Sequence, residues 1–128
     1  MNTPKWAQDL AINALVYLES KGHNIEVPPI RWRRSKYYKS SSGVCYQHHH
    51  ITITAGKDRR DAKLVLLHEL AHWVLPDREH HGNMFWRTVF DLYHWAKLPP
   101  RVCLNREASI NRRSKKRLTK LSKEVDSM

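Results

Sequence analysis

The run from Asp58 to Pro76 is apolar nearly all round a helix yet carries three ionisable side chains in its second half, a combination that few folds can accommodate. It includes Leu64, Val65, Leu66, Leu67, His68, Glu69, Leu70, Ala71, His72, Trp73, Val74 and Leu75. A surface helix shows one apolar stripe, whereas apolar residues on every face predict a central helix buried by the rest of the domain. Asp58 is placed to cap it, Asp61 stands in the first turn where the macrodipole favours negative charge, and Pro76 stops it near Leu75. Burying two imidazoles and a carboxylate without partners is costly, and coordination of a divalent cation offsets that cost.

Helix geometry assigns roles within this group. Positions i and i+4 fall about 40° apart and one turn along the same face, so His68 and His72 can reach a single zinc at about 2.0 to 2.1 Å. Glu69 projects about 100° round the helix from His68, which suits contact with a water molecule beside the metal and the role of general base. A catalytic zinc takes three protein ligands and keeps a fourth position open. The third ligand cannot lie nine residues further along the same helix, because that would carry it about 13.5 Å up the axis. Pro76 lets the chain turn back instead. His81, just before Gly82 and at the threshold of the next helix, is expected to complete the set in preference to His80 in the loop. Asp91 on that next helix is the carboxylate alternative, and Asp77 and Glu79 read as solvated or as neighbours of the ligands.

Thr3 and Pro4 predict an N-cap and first helical residue for a leading helix, with Trp6, Leu10, Ala14, Tyr17 and Leu18 at helical spacing up to Gly22. Strands are expected over Ile30 to Tyr38, Val44 to Gln47 and Ile51 to Thr54, forming a small antiparallel sheet with the Ile51 to Thr54 strand at its edge, where an extended peptide could add. Phe85, Trp86, Val89, Phe90, Tyr93 and Ala96 or Lys97 predict a third helix ending by Pro99. The run His48-His49-His50 reads as a partly exposed edge, since successive strand side chains face opposite ways. His94 and Tyr93 are minor candidates for contact with the reacting groups, and Cys45 and Cys103 read as buried small hydrophobes.

Charge points to a polyanionic partner. The 128 residues hold 23 Lys and Arg against 12 Asp and Glu, a formal charge of +11, which favours nucleic acid. Two clusters concentrate it. Arg31, Arg33, Arg34, Lys36 and Lys39 interleave with Trp32, Tyr37 and Tyr38, a pattern suited to stacking single-stranded bases. Arg112, Arg113, Lys115, Lys116, Arg117, Lys120 and Lys123 form a C-terminal run that reads as a phosphate-binding basic helix or a solvated tail. The two cysteines form no C-x-x-C motif, no apolar run spans a membrane, and the N-terminus shows no secretory leader. A cytoplasmic, DNA-associated monomer with no membrane contact is expected, and not a secreted protein.

The motif His68-Glu69-x-x-His72, then Pro76, then Asp77-Arg78-Glu79-His80-His81-Gly82-x-x-Phe85-Trp86, resembles the SprT/Spartan family of zinc metalloproteases. In that family a third histidine precedes a glycine and, three residues on, an aromatic residue. Ile30-Arg31-Trp32, Gly43-Val44-Cys45 and the Ile-Thr-Ile strand extend the likeness, which covers about residues 1 to 98. The resemblance implies one zinc ion held by His68, His72 and His81, with Glu69 as the general base. It also implies hydrolysis of peptide bonds in proteins bound or crosslinked to DNA, with DNA as a stimulating partner. The cysteine-rich zinc ribbon of many members is not found in this sequence, so DNA binding either rests on other residues or is absent.

The expected architecture is an α+β, zincin-like domain over residues 1–100, followed by a basic C-terminal helix or tail over 101–128. The domain comprises an N-terminal helix, a small antiparallel sheet, the metal helix and a backing helix. Two other readings compete with a DNA-linked zinc metalloendopeptidase: a regulatory protease that cuts one repressor-like partner, and a non-catalytic DNA-binding module with structural zinc.

Overall fold

The computed structural model describes residues 3–76, 81–110, 116, 118–120 and 123. The fold is α+β, and the chain divides into two compact units, residues 1–78 and 79–128. No helix among the described residues is long and apolar enough to cross a membrane.

The first unit contains α1 (Lys5–Ser20), β1 (Ile30–Arg34), β2 (Ser42–Tyr46), β3 (His50–Ala55) and α2 (Arg59–Val74). Pro4, not Thr3, is the N-cap of α1, and no side chain caps that end. Thr3 Oγ1 instead donates to the Ile30 carbonyl at 3.3 Å, tying the start of the chain to β1. The helix ends in a Schellman motif: Gly22 N donates to Glu19 O and His23 N to Leu18 O, with Gly22 at φ 94°. Its buried face is Ala7, Ala11, Ala14, Leu15 and Leu18, and the small residues let α1 pack against α2.

The sheet is mixed, and this corrects the antiparallel expectation. Its order is β1-β3-β2, with β1 parallel and β2 antiparallel to β3. Strand β3 is therefore central, not an edge; the edges are β1 and β2. Its buried side chains Ile51, Ile53 and Ala55 alternate with half-buried partners, as a centre strand with one core face requires. The reason for the crossover lies in the connection after β1. Ser35 N donates to Ala55 O, Lys57 N to Tyr38 O and Asp58 N to Lys39 O, so the chain is held across the end of β3 and re-enters on its far side. Strand β1 is also shorter than expected, because residues 35–41 form this bridge.

Helix α2 starts where the sequence places it, with Asp58 accepting from Arg60 N at 2.9 Å and Asp61 N at 3.4 Å. Asp61 also accepts from Ser41 N, which fastens the bridge to the first helical turn. Ala62, Leu64, Val65, Leu66, Leu67, Leu70 and Ala71 are buried, and α2 packs on β2, β3 and α1. At its far end Gln47 donates to the Leu75 carbonyl.

The second unit contains α3 (Asn83–Trp95) and α4 (Pro100–Ile110). Phe85, Trp86, Val89, Phe90, Leu92 and Tyr93 are buried along one side of α3, and Tyr93 Oη donates to Glu107 Oε1 of α4 at 2.7 Å. Helix α3 closes with Lys97 at φ 59°, while Lys97 N donates to His94 O and Leu98 N to Tyr93 O. Pro100 then opens α4, the position where a missing N–H costs nothing. Beyond α4, Leu118 is fully buried and helical.

Candidate metal centre

The i, i+4 spacing of His68 and His72 on α2 brings the two rings together, with centroids 5.0 Å apart and planes at 67°. Both are half-buried, flanked on the helix by the fully buried Leu67, Leu70 and Ala71. Glu69 lies on another azimuth and is 6% exposed. That azimuth faces β2 at Gly43, where a Cβ would meet Glu69 Cγ at 2.9 Å and Val65 Cγ1 at 2.8 Å. Only glycine lets the strand come this close to the carboxylate-bearing face of α2. In the sequence Gly43 stands out only as part of the family resemblance, although a glycine inside a strand pattern is the local signal of such a close approach.

His81 sits in the turn before α3 with φ 51°, a left-handed backbone that non-glycine residues seldom adopt. Its ring stacks on Trp86 at 5.1 Å and 29°, with Phe85 also 5.1 Å away. The aromatic pair that opens α3 therefore orients this imidazole.

His68, His72 and His81 form a group that can hold a metal ion: each offers one ring nitrogen, and these lie within 4.8 Å of one another. Nitrogens sharing a tetrahedral zinc at about 2.0 to 2.1 Å stand roughly 3.3 Å apart, so this spacing is of the right order. Three neutral imidazoles suit zinc, copper, iron or nickel, and do not suit calcium or magnesium, which take oxygen ligands. Among the described residues the group has three members. Asp91, half-buried on α3, is not one of them. His80, Asp77 and Glu79 lie outside the described residues.

The basic and aromatic residues separate into different environments. Arg31, Arg33 and Arg34 are exposed on β1, whereas Trp32 between them is 3% exposed and packs edge-on against Trp6 at 5.6 Å. Trp32 is a core residue and offers no face for stacking, which corrects its assignment to a base platform. Tyr37 and Tyr38, 86% and 68% exposed, do present their rings. Lys36 beside them and Lys39 are exposed as well. Lys116, Lys120 and Lys123 are exposed, and Arg112, Arg113, Lys115 and Arg117 lie outside the described residues.

His48 and His49 occupy the β2–β3 turn and His50 opens β3. Partial burial, then the charge of Arg31, then His49, hold the His50 imidazole below its ordinary value. His94 is exposed on α3, Cys103 is buried and Cys45 half-buried.

No protein-family model, no characterised protein and no solved structure matches this chain.

Proposed function

We propose that this protein is a zinc-dependent metalloendopeptidase of the SprT/Spartan type, acting on DNA-associated or DNA-crosslinked proteins. The observation that carries the reading is the combination on one buried helix of a metal-holding histidine pair with a carboxylate on a neighbouring azimuth, Glu69, in a group completed by His81. A group of three protein ligands leaves a coordination position for substrate, whereas structural zinc sites are normally closed by four. When bound, zinc would acidify a water molecule and polarise the scissile carbonyl.

The chain's own residues do the rest. His68, His72 and His81 hold the ion. Glu69 takes the proton of the attacking water and delivers it to the leaving amine nitrogen, which completes peptide-bond hydrolysis without net proton change at the enzyme. Its burial keeps the carboxylate in a low-dielectric setting where it interacts strongly with a reacting proton. The free edge of β2 runs over Glu69 at Gly43, so an extended substrate adding to that edge would pass the general base. This replaces β3 as the strand-addition edge.

The deciding experiment incubates zinc-loaded wild type and Glu69→Gln with a DNA-bound protein, with and without DNA, and tracks the fragments. Cleavage by wild type and none by the zinc-replete variant is the expected result. Equal cleavage by both would remove the mechanism, and cleavage by neither would favour a non-catalytic zinc module.

A further inference from the structure

The β2–β3 turn departs from strand alternation, and this brings two of its histidines together. Residues 47–49 form the turn, which is closed by His49 N donating to Tyr46 O at 2.9 Å, with His48 in a left-handed backbone at φ 61°. Along an unbroken strand, neighbouring side chains face opposite ways, and His49 and His50 would be kept apart. Here the turn swings the His49 side chain back. Its ring centroid lies 4.7 Å from that of His50, and the two Nδ1 atoms converge to 2.5 Å. Tyr46, the cross-strand partner of His50, stacks on the His50 ring at 4.6 Å and 27° and fixes its plane. Gln47 Nε2 donates to Leu75 O, which fastens the first residue of the turn to the end of α2.

Two imidazole nitrogens aimed at one another need a proton or a metal ion between them, because their lone pairs repel. Partial burial, then the charge of Arg31, then His49, hold the His50 imidazole below its ordinary value, so near neutral pH it is uncharged and has a lone pair to give to a metal. The spacing selects the kind of ion. Adjacent nitrogens on a tetragonal ion with bonds of about 2.0 Å stand about 2.8 Å apart, against about 3.3 Å on a tetrahedral one. The observed convergence is nearer the first, and His49 is exposed, so a small rotation of its ring closes the difference. Tetragonal nitrogen coordination is the habit of Cu(II) and Ni(II), of which Cu(II) binds more tightly. Among the described residues no third histidine, cysteine or carboxylate joins the pair, which leaves the other equatorial positions to water. We propose that His49 and His50 form a second metal site, which binds one Cu(II) ion through the two Nδ1 atoms. None of these residues belongs to the group of His68, His72 and His81, and the test requires no proteolysis, so the inference stands or falls independently of the metallopeptidase reading.

The experiment titrates the zinc-loaded full chain with Cu(II), using glycine as a competing chelator to suppress weaker sites. Electron paramagnetic resonance reads the copper ligands and metal analysis reads the zinc. Wild type should take up about one equivalent of Cu(II) while keeping its zinc, with a tetragonal spectrum that carries the splitting of two imidazole nitrogens. His49→Ala and His50→Ala, both at the surface turn, should each weaken copper binding at least about tenfold with zinc unchanged. His48→Ala should leave it within about twofold, because that ring stands outside the pair. The charge of Arg31 that disfavours the imidazolium also opposes a dication, so Arg31→Gln should tighten binding about two- to fivefold. Copper uptake that is unchanged in both His49→Ala and His50→Ala overturns the inference, as does uptake only in exchange for the zinc. A wild-type protein that takes up no copper also overturns it, and leaves the His49–His50 contact as a shared proton.

Discussion

Gly43 of β2 and Glu69 of α2 are packed so closely that a single added methyl group at position 43 would stand 2.9 Å from Glu69 Cγ. Strand and helix thereby define where the carboxylate can lie. Gly43→Ala should move it, and because Val65 Cγ1 and Ile53 Cδ1 would be met at 2.8 and 3.0 Å, the side chains cannot all yield freely. Overpacking of this kind costs about 1 to 3 kcal/mol of stability. Misplacing a catalytic group by about an ångström can cost a factor of about 100. The expected outcome is a kcat lowered about 10- to 100-fold with zinc content unchanged, checked by kinetics and metal analysis on the same preparation. An unaltered kcat would show that Glu69 is not positioned by this contact.

His81 should be indispensable for metal retention. Its left-handed backbone and its stack on Trp86 hold the ring as the third member of the group. His81→Ala should lose zinc on dialysis against a weak chelator, while His80→Ala and Asp91→Ala should keep about one equivalent. Metal retained by His81→Ala and lost by His80→Ala would reverse the assignment.

Tyr93 couples stability to alkaline pH. Burial, and then the charge and hydrogen bond of Glu107, push its phenol well above the ordinary value. The unfolded phenol ionises near pH 10, so above that pH the folded state retains a proton that the unfolded state has released. The contribution is therefore complete below about pH 10 and is lost as pH rises through the raised folded value. Tyr93→Phe, which strips the buried Glu107 of this donor, should lower stability by about 1 to 3 kcal/mol at neutral pH. It should also flatten the alkaline limb of a Tm-against-pH curve; an unchanged limb would assign that limb to other groups.

Gly56 should be far less replaceable than Gly22. A Cβ at position 56 would overlap the carbonyl oxygens of Lys39 and Ser40, which are backbone atoms fixed by Lys57 N to Tyr38 O at 3.0 Å and Asp58 N to Lys39 O at 3.1 Å. A Cβ at Gly22 would meet nothing, and there only the positive φ opposes alanine. Urea unfolding should give a loss of about 1 kcal/mol for Gly22→Ala and of about 3 kcal/mol or more for Gly56→Ala. Comparable losses would mean that the bridge over residues 35–41 can relax.

Elements set by local periodicity and local chemistry were legible in the amino-acid order. The apolar run with its Asp58 cap and Pro76 stop dictated α2, and the i, i+4 spacing alone brought His68 and His72 to one face, because helix geometry is the same wherever a helix forms. The aromatic stripe from Phe85 to Tyr93 specified α3 for the same reason. Features that depend on contacts distant along the chain emerged only in three dimensions. Alternation marks a strand but does not name its neighbour, so it took the hydrogen bonds of residues 35–41 to place β3 between β1 and β2. Trp32 reads equally as a stacking platform or a core residue until its partners are known, and the edge-on contact with Trp6 makes it core. Helix α4 has no clear apolar stripe because one of its core positions is Glu107, a charged residue that burial admits only when a group elsewhere in the fold, the Tyr93 hydroxyl, supplies its hydrogen bond.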